Sequence, residues 1–159
     1  MNRLLLVGHG RMGQLVESLA PSYGFEIAGI VTDQDPEGFT RDYGHVDVAI
    51  DFTLPYAVPA NLPALAARGI NVVIGTTGWD AHEAALRAEV ERAGTAVLAS
   101  ANFSLGMNLC MLRTEDAARR FGPHADFGAW IHELHHSAKK DAPSGTALML
   151  QRAMVEAGY

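Results

Sequence analysis

The chain has 159 residues, a length that fits one domain of ordinary size with a small appendage. Its 18 acidic and 12 basic residues give a formal net charge of −6, which excludes a nucleic-acid surface because such a surface needs clustered Lys and Arg. The composition, 48% hydrophobic and 19% charged, is that of a globular protein and excludes a disordered chain.

The cysteine content and the apolar runs bear on the compartment. A single cysteine, Cys110, cannot form an intramolecular disulfide, and its place in the apolar run LGMNLCML predicts core packing. The first apolar run, LLLVG, is too short for a signal peptide, and no later run reaches the ~18 residues of a membrane span. These features predict a cytoplasmic protein with no membrane and no nucleic-acid partner.

Short apolar runs alternate with amphipathic stretches over most of the chain. Strands are predicted over residues 3–7, 26–31, 46–52, 70–75 and 95–100, and helices over 12–22, 56–68, 80–93 and 105–121. Asp80 is expected to cap the third helix and Gly94 to end it. Strands and helices that alternate in this way predict an α/β fold with a doubly wound, parallel, Rossmann-type sheet.

The pattern changes after Gly122–Pro123. The stretch DFGAWIHELHH predicts a longer strand, and SGTALMLQRAMVEAG predicts a capped amphipathic helix. We therefore expect a dinucleotide-binding domain over residues 1–123 and the incomplete beginning of an α+β substrate and oligomerisation domain over 124–159.

A glycine turn joins the first predicted strand to the first predicted helix. Gly8, Gly10 and Gly13 have the spacing G-x-G-x-x-G, which gives a tight turn, lets the backbone approach a pyrophosphate and lets helix and strand pack closely. Asp33 follows Gly13 by 20 residues, where a carboxylate can bind a ribose diol. The alternative is a glycine-rich turn with an incidental surface aspartate. Arg11 either contacts phosphate or projects into solvent.

The residues after the second strand bear on the nicotinamide cofactor. The carboxylate of Asp33 repels a 2′-phosphate and so favours NADH, whereas Arg41 in the following loop could reach that phosphate and accept NADPH. The expected cofactor is therefore NADH or NADPH, with NADH slightly favoured.

Two further segments follow predicted strands. DFT, residues 51–53, and GTTGW, residues 75–79, fall at carboxyl ends of strands, where open α/β sheets bind ligands. Their glycines, threonines and backbone N–H groups suit a nearby nicotinamide ribose and amide. Ordinary turn chemistry explains GTTG as well.

The stretch ELHHSAKKDAPSGTAL, residues 133–148, concentrates polar residues. Adjacent histidines on a strand point to opposite faces, so at most one of His135 and His136 is expected to face a given ligand, the other having a structural role, and metal chelation is disfavoured. Asp141 is interpreted as organising the loop before Pro143, although a substrate contact stays open. Lys140 is interpreted as an ordinary solvated lysine. Glu133 is interpreted as balancing the local charge.

In these segments the sequence resembles the 4-hydroxy-tetrahydrodipicolinate (dihydrodipicolinate) reductases of lysine and diaminopimelate biosynthesis. The resemblance runs in order from residue 3 to about residue 150, through VGHGRMG, DFT, GTTGW, SANFSLGMN and HHSAKKDAPSGT. It implies that a cyclic imine dicarboxylate, 4-hydroxy-tetrahydrodipicolinate, is reduced to tetrahydrodipicolinate with NAD(P)H as the hydride source.

The resemblance also implies roles for individual residues. His135 resembles the proton donor to the ring nitrogen, and Lys139 resembles its cationic partner and a substrate contact. A histidine titrates near neutrality, which suits a general acid. The residues that resemble holders of the substrate carboxylates are His136, Ser144, Gly145 and Thr146. The residues that resemble the cofactor site are Gly8, Gly10, Arg11, Met12, Gly13, Asp33, Phe52, Thr53, Gly75, Thr76, Thr77, Ala101, Asn102 and Phe103.

The chain departs from the family pattern at its C-terminal end. Members of the family continue well beyond the position of Tyr159, into a part that builds a homotetramer interface and covers the substrate. We therefore expect a fragment, a truncated form or a shortened homologue that self-associates, and the activity of the 159-residue chain stays open. Two other functions remain: another Rossmann dehydrogenase acting on an amino acid or sugar, and a non-catalytic nucleotide-binding fragment.

Overall fold

A parallel five-stranded sheet lies at the centre of the first hundred residues. Its strand order is β2-β1-β3-β4-β5, and every neighbouring pair is parallel. The strands are β1 (Asn2–Val7), β2 (Phe25–Val31), β3 (Val48–Asp51), β4 (Asn71–Ile74) and β5 (Val97–Ala99). The strand order reverses between β1 and β3, so this is a doubly wound sheet with a switch point at the carboxyl ends of those strands. The predicted α/β fold class is confirmed.

The computed structural model describes residues 1–35, 37–135, 137 and 142–159. These residues form two compact units, Met1–Ala101 and Asn102–Tyr159. The change of sequence pattern near Gly122–Pro123 lies one helix later than this division, because the helix before it belongs to the second unit. The assignment of domains to 1–123 and 124–159 stays a prediction.

Helices in the first unit cover both faces of the sheet. They are α1 (Arg11–Leu19), α2 (Val58–Ala66) and α3 (Glu83–Ala93), with short 3-10 turns at Ala20–Tyr23 and Asp80–His82. Alternate residues of β1 enter two separate cores: Leu5 packs with residues of α2 and α3, and Leu4 packs with Val16 of α1. Burial on both faces explains why the strands are almost wholly apolar.

Some helix boundaries differ from the expectation. The first helix was expected to reach residue 22, but α1 ends at Leu19 and a 3-10 turn containing Pro21 follows. Asp80 does not cap α3: it is the first residue of the 3-10 turn, and His82 is the N-cap residue of α3. Gly94 ends α3 with a φ of 70°, as expected.

The second unit contains two helices. They are α4 (Leu105–Phe121) and α5 (Gly145–Glu156), which pack against each other. Ser104 and Ser144 cap them, each accepting a hydrogen bond from the backbone N–H three residues later. Cys110 was expected in the core but is exposed on α4. The less exposed residues of this helix include Met107, Met111, Thr114 and Ala118, a stripe at helical spacing that does not include Cys110.

The strand predicted over residues 126–136 is not formed in the described part of that segment, which has no regular secondary structure after a turn. A strand needs a neighbour to accept its hydrogen bonds, and the described residues of the second unit contain no other strand. Within the described residues, no helix is both long and apolar enough to cross a bilayer.

Candidate functional site

A groove of about 330 Å³ lies at the carboxyl ends of β1, β3 and β4. It is therefore at the switch point of the sheet, where open α/β folds bind their ligands. Eight of the lining residues come from the three segments singled out in the sequence, and Pro55 is the one that the sequence reasoning missed. The lining residues are Gly10, Arg11, Met12, Phe52, Thr53, Pro55, Gly75, Thr76 and Thr77.

The three glycines of the first turn have different surroundings. Gly8 has a φ of 91°, and a Cβ there would lie 2.9 Å from the carbonyl oxygen of Phe52. A Cβ on Gly13 would lie 2.2 Å from the carbonyl oxygen of Gly8, so this glycine lets α1 pack against the turn. A Cβ on Gly10 would meet no atom within 4 Å. The backbone at Gly10 is therefore open to an approaching group.

The beginning of α1 provides donors and a cation at this open position. N–H groups in the first turn of a helix have no helical acceptor and carry the positive end of the helix dipole. Arg11 is exposed and has no hydrogen-bond or ion-pair partner in the described chain. These features suit a phosphate group.

A buried aspartate organises the DFT turn after β3. Asp51 is only 1% exposed, and its carboxylate accepts hydrogen bonds from the Thr53 backbone N–H at 2.8 Å and the Thr53 hydroxyl at 2.6 Å. Its second oxygen accepts one from Asn61 Nδ2 of α2 at 3.0 Å. A buried carboxylate without such donors would be destabilising, so Asp51 and Asn61 hold Phe52 and Thr53 in place.

The GTTGW turn after β4 is attached to the DFT turn. The Thr76 hydroxyl donates to the Thr53 carbonyl at 2.8 Å, and Trp79 Nε1 donates to the Thr76 carbonyl at 2.9 Å. A Cβ on Gly75 would lie 2.0 Å from the Phe52 ring, so only glycine lets that ring lie against this turn. Two segments separated by about twenty residues thus form one wall of the groove.

The loop after β2 carries Asp33 and Arg41. Asp33 is exposed in the turn that follows the strand. Arg41 is paired with Asp35, at 3.0 Å between Nη1 and Oδ2. Arg68, two residues beyond the end of α2, donates to the carbonyl oxygens of Phe39 and Arg41, at 2.8 and 3.0 Å, and so attaches this loop to the segment that follows α2.

The segment Ala101–Phe103 spans the division between the two units. Asn102 Oδ1 accepts a hydrogen bond from the Ser104 N–H at 2.8 Å, which forms an Asx turn immediately before α4. Asn108 Nδ2 donates to the Asn102 carbonyl at 3.0 Å. The Phe103 side chain is 46% exposed.

In the second unit, Glu133 connects a histidine to the beginning of α5. Glu133 Oε2 lies 3.0 Å from His135 Nε2 and accepts a hydrogen bond of 2.6 Å from the Ser144 hydroxyl. Its other oxygen accepts one from the Ser144 N–H at 2.9 Å. Hydrogen bonds from the Ser144 hydroxyl and N–H, and then from His135, lower the pKa of Glu133 to about 2.

Ser144 connects Glu133 to the first turn of α5 through hydrogen bonds. Its hydroxyl donates to Glu133 and accepts a 3.1 Å hydrogen bond from the Ala147 N–H. Gly145 and Thr146 are the first two residues of α5, so their N–H groups belong to the free first turn. The sequence interpretation of Glu133 as a simple charge balance missed these hydrogen bonds.

Several residues of the predicted polar cluster lie outside the described residues. These are His136, Lys139, Lys140 and Asp141. Of the residues expected to act on the substrate, the described ones are His135, Ser144, Gly145 and Thr146. Their roles, like those of the groove residues, stay predictions.

The fold and the groove define the class of protein to which the chain belongs. A parallel doubly wound sheet with a glycine turn at its switch point is the Rossmann type of α/β domain, which binds dinucleotides. Family models then make the relation specific. The dihydrodipicolinate reductase N-terminus matches residues 2–103, and the dihydrodipicolinate reductase C-terminus matches residues 106–158. The chain belongs to the dihydrodipicolinate reductase family.

Individual relatives agree with the family. The chain is 35% identical over 153 residues to the 4-hydroxy-tetrahydrodipicolinate reductase of Christiangramia forsetii, covering 96% of this chain and 64% of the relative. It is 46% identical over 170 residues to the 4-hydroxy-tetrahydrodipicolinate reductase of Geotalea daltonii, covering 93% of this chain and 62% of the relative. The chain thus spans less than two thirds of the length of these relatives.

A solved structure shares the fold. It is a dipicolinate-bound dihydrodipicolinate reductase from Paenisporosarcina sp. TG-14, with a TM-score of 0.76 and 22% identity. The similarity covers 99% of this chain and 67% of that one. At this identity the likeness supports the fold alone.

Proposed function

We propose that the chain provides the nucleotide groove and the proton donor of an NAD(P)H-dependent 4-hydroxy-tetrahydrodipicolinate reductase of lysine and diaminopimelate biosynthesis. The observation that carries the proposal is the match of both halves of the reductase family, in order, to residues 2–103 and 106–158. The substrate is a cyclic imine dicarboxylate or its hydrated equivalent, and the reaction reduces the C=N bond.

The groove is proposed to hold part of a nicotinamide dinucleotide, whose chemical contribution when bound is to supply hydride. The open backbone at Gly10, the exposed Arg11 side chain and the first turn of α1 are proposed to bind the pyrophosphate. Thr53 and Thr76 are proposed to border the nicotinamide half, supported by their hydrogen bond across the groove wall. The other proposed cofactor contacts are Gly8, Met12, Gly13, Phe52, Gly75, Thr77, Ala101, Asn102 and Phe103.

His135 and α5 are proposed to act on the substrate. Hydride addition at carbon leaves electron density on the ring nitrogen, and His135 donates a proton there. The N–H groups of Gly145 and Thr146 bind a substrate carboxylate, as helix N-termini bind anions, with Ser144 fixing the first turn. His136 and Lys139, outside the described residues, are proposed as a further carboxylate contact and as the cation beside the acid.

The cofactor preference is proposed to favour NADH slightly. Asp33 is exposed at the end of the β2 segment, where its carboxylate would accept the ribose hydroxyls and repel a 2′-phosphate. Arg41, the cation that could bind this phosphate, is held by Asp35. NADPH remains a substrate to the extent that this ion pair opens.

The remaining proposals concern the surroundings of the enzyme. The complete protein is proposed to be a homotetramer, and the second unit exposes large apolar side chains, with Trp130 and Leu134 each 84% exposed. A cytoplasmic setting is proposed because it supplies the nicotinamide cofactor and keeps the exposed thiol of Cys110 reduced.

Replacement of the proton donor tests the proposed function. His135→Gln should lower turnover of 4-hydroxy-tetrahydrodipicolinate by about 10²-fold or more, since general acids contribute about that much, with the Kd for NADH unchanged. His124→Gln, in the same unit, is the matched control. Wild-type turnover by His135→Gln, or absence of NADH binding by the wild-type chain, would refute the proposal.

A non-catalytic nucleotide-binding fragment is the second candidate. The observation that favours it is the coverage of only 62–64% of the relatives' length. It predicts NADH binding without turnover, which is measured in the same pair of experiments.

A further inference from the structure

We propose that Glu133 is a positioning residue of the reductase site: it fixes the tautomer of His135 and ties that histidine to the carboxylate-binding end of α5. This inference rests on the proposed function of the same residues. The inference specifies which ring nitrogen of His135 delivers the proton. It also specifies what holds His135 at a fixed position relative to the first turn of α5.

The hydrogen bonds around Glu133 use both carboxylate oxygens. Oε1 accepts from the Ser144 N–H, while Oε2 is shared by the Ser144 hydroxyl and His135 Nε2. The side chain of Glu133 is 26% exposed, and Ser144 is 5% exposed. A single carboxylate therefore holds two segments of chain, eleven residues apart, in one arrangement.

The direction of each hydrogen bond follows from the ionised state of Glu133. Hydrogen bonds from the Ser144 hydroxyl and N–H are the main causes that keep the pKa of its carboxyl far below neutrality, at about 2, so at neutral pH Glu133 can only accept. His135 Nε2 must then carry a proton. When the imidazole is neutral, its single N–H proton is therefore on Nε2, and Nδ1 has none. When the ring is an imidazolium, Nε2–H donates to Glu133, and Nδ1–H is the proton that can be transferred.

This tautomer assignment identifies His135 Nδ1 as the atom that donates the proton. The proton leaves His135 Nδ1 for the substrate nitrogen while the neighbouring carbon receives hydride from the nicotinamide, so C=N becomes CH–NH and charge balances. The Nε2–H bond to Glu133 is kept throughout. The same carboxylate fixes Ser144, whose hydroxyl caps the helix that would bind the substrate carboxylate.

The test separates positioning from simple helix capping. In Glu133→Gln the amide can no longer accept from all three donors, so the neutral imidazole of His135 should populate both tautomers, seen in its ring ¹⁵N shifts above neutral pH. Turnover should fall by about 10²-fold, which is the effect of a misplaced catalytic group, with the Kd for NADH unchanged. Glu133→Asp keeps the negative charge on a shorter side chain, so it should partly restore both the single tautomer of His135 and the turnover. Glu115→Gln, which removes a carboxylate paired with Arg119 on α4, is the matched control and should do neither.

Ser144→Ala provides the second variant. It removes the cap but leaves the Glu133 to His135 contact, so the Nε2–H tautomer should persist, whereas a purely structural role for Glu133 predicts that the tautomer is lost with the cap. This variant decides the question if Glu133→Gln does not fold.

The outcomes distinguish this inference from the proposed function. Mixed tautomers in the wild-type protein, or a Glu133→Gln protein that matches Glu115→Gln, would overturn the positioning role while reductase activity stands. Failure of the wild-type chain to bind NADH or pyridine-2,6-dicarboxylate would overturn the proposed function, and the ¹⁵N measurement would still decide the role of Glu133.

Discussion

The glycines around the groove are of two kinds: some are required by close packing, and one borders open space. Gly13 and Gly75 are required by close neighbours, the Gly8 carbonyl and the Phe52 ring, whereas Gly10 borders empty space. The same residue type therefore serves close packing in two positions and leaves open space in the third.

This difference predicts opposite outcomes for two alanine substitutions. Gly13→Ala should lower the free energy of unfolding by about 1–3 kcal/mol, because its Cβ would overlap the Gly8 carbonyl. Gly10→Ala should lower it by only about 1 kcal/mol or less, since its φ of −74° suits alanine and only the N-cap preference for glycine is lost, yet weaken NADH binding. Urea denaturation and NADH fluorescence titration measure the two quantities. Equal NADH affinity in Gly10→Ala and wild type would contradict the proposed position of the pyrophosphate.

The ion pair between Arg41 and Asp35 predicts a change in cofactor preference. Asp35→Asn should release the guanidinium and lower the Kd for NADPH relative to that for NADH by about 2- to 5-fold, the range of a partly exposed ion pair worth ~1 kcal/mol or less. Parallel titrations with the two cofactors give the ratio. Glu83→Gln, which removes an exposed pair with Arg87, is the control. An unchanged ratio in Asp35→Asn means that Arg41 does not reach the 2′-phosphate.

At the scale of elements, helix α5 depends on a residue outside it. Its N-cap Ser144 is itself held by Glu133, whose pKa is lowered from 4.5 to about 2, chiefly by the Ser144 hydroxyl and N–H. A lowered folded-state pKa means that ionised Glu133 stabilises the folded form. This contribution is complete above pH 4.5 and is lost as the pH falls toward about 2.

The pH dependence can be measured at the first turn of α5. Protection of the Ser144 and Ala147 amides from hydrogen exchange, corrected for intrinsic rates, should decrease between pH 4.5 and about 2. Glu133→Gln should show weaker protection with little pH dependence in this window. A wild-type profile that is flat across the window contradicts the role of the ionised carboxylate.

At the scale of the whole molecule, the groove and the proposed proton donor, His135, belong to different compact units. The groove lies in Met1–Ala101, and His135 and α5 lie in Asn102–Tyr159. The first unit carries a sheet covered on both faces, whereas the described part of the second unit has two helices and exposed apolar side chains.

We therefore expect the 159-residue chain to retain nucleotide binding better than turnover. Relative to a full-length relative such as the Geotalea daltonii reductase, the Kd for NADH should change less than kcat/KM, because the cofactor groove is built within one unit. Equilibrium titration and a steady-state reductase assay on both proteins give the comparison. Full turnover by the isolated chain would show this expectation to be wrong.

Much of the first unit could be predicted from the sequence, since the signals are local. Apolar runs of four to seven residues, the glycine spacing after the first and the helical periodicity between them are all read within short windows. The bounds predicted for helix α4, residues 105–121, are confirmed, because the helical pattern that marks it is local. The prediction of a strand over 126–136 was wrong for the described residues, because a strand also needs a neighbouring strand to hydrogen-bond with, and a local sequence pattern does not provide one.

The sequence by itself determined the fold class, the glycine turn and the family, because each depends on residue types at fixed spacing. Only the tertiary structure decided which contacts these residues make: Thr76 with Thr53, Arg41 with Asp35, and Glu133 with both His135 and Ser144. The physical reason is that hydrogen bonds and ion pairs depend on distances of about 3 Å between side chains, and periodicity along the chain does not encode such distances between segments.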